Sequence, residues 1–276
     1  MYIDTHAHYD MKIFNKDREQ LLEMLQNNHV EMVINAATRY ESNFTMQEKL
    51  AAYDWIHYSA GIHPNHVGIT DDVDEIWEKG LRHILSNSNK IVAIGETGLD
   101  FYRLTRTENN ELDEISALKL ERQYKWFRKQ IELAICKQLP LILHVRDAHL
   151  EAIAVLKEYE EDLPSQNIGV VHCFNGDLES AYRYIDMGFY LGIGGLITDI
   201  KNQTLRNVVE EIPLSKIVLE TDAPYVTPAG AEEKRNSSLN LPIIAQEISR
   251  LKDISVEEVE NTTTGNAGNL FCRIFH

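Results

Sequence analysis

The sequence predicts an α/β fold: a (β/α)8 TIM barrel followed by C-terminal tail helices. Three observations carry that expectation. The chain has 276 residues, and a barrel of this kind needs roughly 250. Eight short apolar runs alternate with longer amphipathic stretches, which is the pattern of parallel strands joined by crossover helices. The competing doubly wound open sheet, in its dinucleotide-binding form, requires a GxGxxG turn after the first strand. Here the residues after Tyr2-Ile3 read Asp4-Thr5-His6-Ala7-His8.

In chain order, strands are expected at residues 2–3, 32–36, 56–62, 91–95, 140–145, 168–171, 190–193 and 217–219. Each is a short aliphatic or β-branched run, as strands covered on both faces are. Between them, helix-period segments fall at 18–28, 116–137, 150–158, 178–187 and 205–211, and tail helices are expected around 241–251 and 256–262. The least regular stretch, 103–115, is polar and acidic and reads as a long surface loop between the fourth strand and its helix. No repeat or linker divides the chain, so residues 1–276 are expected to form one domain.

The chain is 43% hydrophobic and 25% charged, an ordinary globular composition. The opening residues MYIDTHAHYD contain no secretory pattern, and no apolar run reaches the roughly 20 residues of a membrane span. Cys136, Cys173 and Cys272 are odd in number and widely spaced, which suits a reducing, cytoplasmic setting. The formal charge of -16 argues against a general nucleic-acid coating protein. It leaves room for a nuclease, because bound divalent ions and a few local cations can make one pocket positive.

The ends of the strands carry the chemistry. His6 and His8 lie two residues apart, a spacing that points both side chains of a strand the same way. Glu96 follows IVAIG, His144 sits in LPLILHV, His172 ends IGVVH, and Asp222 follows IVLET. A barrel brings these ends to one face, where such folds keep their active sites. Imidazoles and carboxylates in this number suit divalent ions such as Zn, Mn, Fe, Co or Ni. A shared carboxylate such as Glu96 can bridge two ions roughly 3.5–4 Å apart, and Asp222 can both ligate and accept a proton from an attacking water.

The segments IDTHAHYD, GIHPNH, AIGETGLDFY, LPLILHVRDA, VVHCFNG and LETDAPYVTP run from residue 3 to residue 228. Together they resemble TatD-type metal-dependent deoxyribonucleases of the amidohydrolase superfamily. The resemblance implies a β/α barrel and two divalent metal ions (Zn, Mn, Mg, Ni, Co or Fe) held by His6, His8, Glu96, His144, His172 and Asp222. It also implies hydrolysis of DNA phosphodiesters from the 3′ end, and a narrow barrel mouth is expected to admit a single-stranded end more readily than an internal duplex segment. Family members often carry Arg-Asn-Glu-Pro after the last strand, whereas this chain reads Arg235-Asn236-Ser237-Ser238.

Around this set, His63 is placed to contact a substrate oxygen, a role the resemblance supports. Arg146, two residues beyond His144, can hold a phosphate or pair with a neighbouring carboxylate. Tyr102 can stack on a base or simply pack, and Asp100 can orient a ligand histidine. His66 and His149 read as loop and surface residues, Cys173 as a small buried one, and Asn175-Gly176 as a turn. Lys234 and Arg235 are further candidate phosphate contacts. The leading function is a metal-dependent deoxyribonuclease with Asp222 and Glu96 as catalytic carboxylates, acting on DNA ends or single strands and possessing no membrane partner. An amide, ester or lactone hydrolase on the same barrel and a non-catalytic metal-binding scaffold are the alternatives.

Overall fold

A computed structural model describes residues 1–271. Eight parallel strands pair in chain order: β1 (Tyr2–Ala7), β2 (Val30–Asn35), β3 (Ile56–Ala60), β4 (Ile91–Asp100), β5 (Leu141–Arg146), β6 (Gly169–Val171), β7 (Phe189–Ile193) and β8 (Ile217–Leu219). The seam between the last strand and the first is closed just past β8. Asp222 N donates to His6 O at 2.8 Å, His8 N donates to Ala223 O at 2.8 Å, and Ala7 and Ala223 form a parallel bridge. The barrel therefore closes through the same residues that carry the candidate ligands.

Crossover helices α1 (Arg18–Asn27), α2 (Ser42–Leu50), α3 (Asp74–Asn87), α4 (Glu114–Lys137), α5 (His149–Lys157), α6 (Leu178–Met187) and α7 (Gln203–Glu211) cover the sheet, and α8 (Leu241–Lys252) and α9 (Val256–Leu270) follow. Local chemistry sets several boundaries. Asp113 caps α4 by accepting from Ser116 N at 2.7 Å, and Asp177 caps α6 by accepting from Ser180 N at 2.8 Å. Inside the barrel, Ile3, Met32, Val92, Ile142, Val170, Tyr190 and Val218 form an apolar layer that also contains Ala267, Leu270 and Phe271. Asn266 Nδ2 holds α9 in place by donating to Leu214 O at 2.9 Å and Ile217 O at 2.7 Å. The N-terminal mouth of the barrel is thus plugged, and the C-terminal mouth is left for the site.

The elements differ from the sequence expectation in four places. β1 and β4 run beyond their apolar runs, through His6 and as far as Asp100, because ladder pairing continues regardless of side-chain polarity (Gly98 pairs with His144 and Asp100 with Arg146). α2 and α3 were not among the expected segments; each buries only three residues, one of them polar. The stretch 103–115 is mostly loop, with a bridge between Arg106 and Leu112, but Glu114 and Ile115 already belong to α4. Finally, α9 continues to Leu270 through Thr, Gly and Asn residues of poor helix propensity. Tertiary burial in the barrel mouth holds that turn helical. Among the described residues, Cys136 and Cys173 are free; Cys272 lies outside them. No described helix is long and apolar enough to cross a membrane.

Candidate metal centre

Glu96 sits within β4, a strand that approaches β5 closely. Gly98 has φ +132, and a Cβ there would run into the carbonyl oxygen of His144. Only glycine allows this conformation and this approach, so Gly98 brings the Glu96 strand against the His144 strand. The two oxygens of Glu96 then face two groups of donors. Oε2 lies 3.7 Å from His6 Nε2 and 4.0 Å from His8 Nε2. Oε1 lies 2.9 Å from His144 Nδ1, 2.8 Å from His172 Nε2 and 3.4 Å from His63 Nε2. Asp222 completes the first group, with Oδ1 3.2 Å from His8 Nε2 and 3.8 Å from His6 Nε2. His6 Nε2 and His8 Nε2 are 3.2 Å apart, and His144 Nδ1 and His172 Nε2 are 3.1 Å apart.

These spacings fit divalent ions. Donors about 2.0–2.2 Å from one ion at tetrahedral angles stand roughly 3.3–3.6 Å from each other. All six expected ligands meet here, in two groups that share Glu96. The outer contacts aim the imidazoles. His8 Nδ1 lies 2.9 Å from Ala36 O, and His144 Nε2 lies 3.2 Å from Asp100 Oδ2. Each contact engages one ring nitrogen and directs the other toward the cluster. Asp100 is itself fixed by Asn65 Nδ2 at 2.7 Å and Tyr102 N at 3.0 Å.

The clustered carboxylates and imidazoles shift one another in opposite directions. Burial opposes protonation of His8, yet its contacts with Asp222 lift the imidazole to about 9. His144 likewise rises to about 9 against burial, through Asp100 and Glu96. Burial would raise Glu96, but the surrounding histidines hold it well below the usual carboxylate range. His6 is held low first by burial and then by the neighbouring His172.

Two supporting carboxylates escaped the sequence reading. Asp4 is fully buried and accepts from His6 N, Thr221 N, Thr221 Oγ1 and Ser238 Oγ. It ties β1 to the exit of β8, and burial pushes its carboxyl up to about 6 despite these bonds. Glu220 lies against His172, with Oε1 accepting from Cys173 N at 2.5 Å and 3.8 Å from His172 Nδ1. Asp4 stands two residues before His6 on β1, so the period-2 rule that paired His6 with His8 also marks it; Glu220 lies just past β8, where that rule no longer applies.

The cluster floors a cleft of about 420 Å³ lined also by Arg39, His63, His66, Arg103, Arg146 and Tyr225. His63 stands within reach of Glu96, and His66, expected as a loop residue, lines the cleft from a short 3-10 turn. Arg146 makes no carboxylate pair; its guanidinium stacks 3.7 Å over the Tyr102 ring, which is 61% exposed. Arg39, Arg103 and Arg146 are the described arginines whose guanidiniums have no hydrogen-bond or ion-pair partner. Every other described arginine donates to a carboxylate or a backbone carbonyl. One expectation is corrected. Arg235 does not face the cleft but pairs with Asp17 and covers the Phe14 ring, and Lys234 is not among the cleft residues. Beside it, Asn236 donates to Thr221 O and Tyr225 O, both at 2.7 Å, bracing the loop that carries Asp222. His149 is half-buried against Asn175, 3.3 Å away, outside the cleft.

A β/α barrel with this donor set at its C-terminal mouth is a metal-dependent hydrolase. The chain belongs to the TatD related DNase family, whose model matches residues 3–272. It is 34% identical over 272 residues to the uncharacterized metal-dependent hydrolase YabD of Bacillus subtilis (strain 168), covering 98% of this chain and 99% of that one. It is 31% identical over 264 residues to the 3'-5' ssDNA/RNA exonuclease TatD of Rahnella sp. (strain Y9602), covering 94% and 93%. Among solved structures, the TatD homologue YjjV of Escherichia coli K12 matches with a TM-score of 0.84 at 29% identity, covering 98% of both chains.

Proposed function

We propose that this chain is a two-metal phosphodiesterase that degrades nucleic acid strands from the 3′ end and prefers single-stranded DNA. The observation that carries the reading is the combination in one cleft of a divided donor set and three guanidiniums without partners. Phosphate is the ligand that satisfies both. A neutral amide, ester or lactone offers the arginines carbonyl oxygens but no negative charge. The similarity to the Rahnella exonuclease supports the same substrate class and direction.

His6, His8 and Asp222 would hold one ion, His144 and His172 the other, with Glu96 between them. Bound divalent ions would supply an acidified water and screen the negative charge on the phosphate oxygens. The chain's own residues do the rest. Asp222 takes the proton of the attacking water; its Oδ1 stands beside His8 and His6, at the edge of the cleft. His63, 3.4 Å from Glu96, contacts a phosphate oxygen. Arg146 neutralises a second oxygen, held in position by its stack on Tyr102. Tyr102 and Tyr225, 61% and 50% exposed, offer faces for unpaired bases, a contact that tolerates any sequence.

The deciding experiment strips the protein of metal, reloads it with single divalent ions, and assays single-stranded DNA, duplex DNA, RNA and a panel of non-phosphate esters and lactones in parallel. Fastest release of nucleotides from linear single strands is expected. Turnover confined to the non-phosphate panel would refute the proposal.

A further inference from the structure

A second hollow, of about 200 Å³, opens beside the metal cleft and shares Asn65, His66 and Arg103 with it. Its lining includes Lys119, from the N-terminal part of α4, and Gly68, from the loop after β3. Arg103 is therefore common to two adjoining concavities, one with the metal donors at its base and one without. Neither Arg103 nor Lys119 has a hydrogen-bond or ion-pair partner among the described residues, and both are exposed. Arg39 stands close to this boundary as well. His66 is held below the ordinary histidine value by burial and then by both Arg39 and Arg103, so both guanidiniums bear on one ring at the junction.

Described arginines without a carboxylate or carbonyl partner are the minority on this chain, whose formal charge is -16. Carboxylates are plentiful, and elsewhere on this surface arginines are taken up by them. A row of cations that continues away from a hydrolytic centre matches the repeating charge of a nucleic acid backbone, not a single small anion.

We propose that the side hollow is a second phosphate subsite, in which Arg103 and Lys119 hold the phosphate adjacent to the scissile one. The inference rests on the phosphodiesterase reading. It adds that efficient substrates carry at least two consecutive phosphates, with the strand leaving the metal cleft over Arg103.

The test compares kcat/KM on a short oligothymidylate with kcat/KM on bis(p-nitrophenyl) phosphate, which has one phosphate and no second one to place in the hollow. The metal-loaded wild type, Arg103→Gln, Lys119→Gln, the double variant and Arg103→Lys are assayed together. Each glutamine variant should lower the oligonucleotide-to-small-diester ratio about tenfold, mainly through KM, with a larger fall in the double variant and partial rescue in Arg103→Lys. In oligothymidylate binding to the cleavage-dead Asp222→Asn protein, adding both glutamine changes should reduce the log–log salt slope by about 0.7, the loss of one phosphate contact on a single strand. An unaltered ratio, or equal losses on both substrates, would overturn the second subsite while leaving the phosphodiesterase intact. A wild type inactive on both substrates would remove the phosphodiesterase reading, and this inference with it.

Discussion

The two ends of this barrel are made from the same strands and have opposite characters. At the N-terminal end, Ile3, Met32, Val92 and Val218 meet Leu270 and Phe271 of the C-terminal segment, and the polar Asn266 beside them satisfies two carbonyls. At the C-terminal end, the same β1, β4 and β8 lead into His6, Glu96 and Asp222. There, buried polar atoms such as His6 Nδ1, His172 Nδ1 and Glu220 Oε2 have no hydrogen-bond partner among the described residues. Burying ionisable groups costs stability, whereas burial of the apolar side chains at the lower end contributes it. The division teaches that stability and chemistry are housed in separate layers of one sheet, and that each should be removable without the other.

Substitutions at the upper end should give the largest effects. Asp222→Asn keeps an oxygen donor but removes the proton acceptor. It should lower kcat by about 10²- to 10⁴-fold while retaining most of the metal, whereas His6→Ala should lose metal first. Elemental analysis alongside single-turnover kinetics separates the two, and near-normal kcat in metal-loaded Asp222→Asn would exclude the base role. Full chelation should abolish turnover yet leave the far-UV spectrum of a folded barrel. Loss of the fold on chelation would break the comparison between the ends.

Next in size is the lower end. Phe271→Ala opens a cavity at the plug and should cost roughly 3–5 kcal/mol of unfolding free energy, read from denaturant titration. The folded fraction should keep its kcat. A parallel fall in kcat would mean that the plug and the metal centre are coupled.

Smaller effects sharpen the picture of the upper rim. The 103–113 loop leaves β4 on the cleft side, so shortening it between Thr105 and Asp113 should change the preference between long and short strands without unfolding the protein. Identical kinetics on both lengths would exclude a gating role. Binding of single strands should also show a shallow salt dependence, about 0.7 log units per log unit of salt for each phosphate held. A slope equivalent to six or more phosphates would point to a footprint much larger than this cleft and its side hollow.

A pH-dependent effect lies in the scaffold. His57, near the start of β3, has a buried Nδ1 without a partner and is lowered to about 4 by burial and then by Lys90. Between its unfolded value near 6.5 and about 4, the unfolded chain takes up a proton that the folded chain refuses. Stability should therefore decline as pH falls through that window and level off below it. Replacing His57 with Gln should flatten this part of the Tm–pH curve; an unchanged curve would assign the acid sensitivity elsewhere.

The barrel and the candidate ligands' convergence were legible in the sequence because both depend on short-range rules. Parallel strands covered on both faces read as apolar runs, and residues two apart on a strand point the same way. Those rules placed His6, His8, Glu96, His144, His172 and Asp222 at strand ends, and the barrel brings them together. They could not place what depends on partners distant in the chain. Arg146 and Arg235 look equally available in the sequence, yet Arg235 is taken up by Asp17, 218 residues away, while Arg146 stays free to stack on Tyr102. Arg39 and Arg103 belong to different crossover loops, and only closure of the sheet sets them around one cleft. Likewise, residues 263–270 have too little intrinsic helix propensity to be read as helix, and burial against the barrel mouth decides their conformation. The sequence determined which chemistry the strand ends can support; tertiary structure decided which charges remain unpaired to serve it, because pairing is a property of neighbours in space.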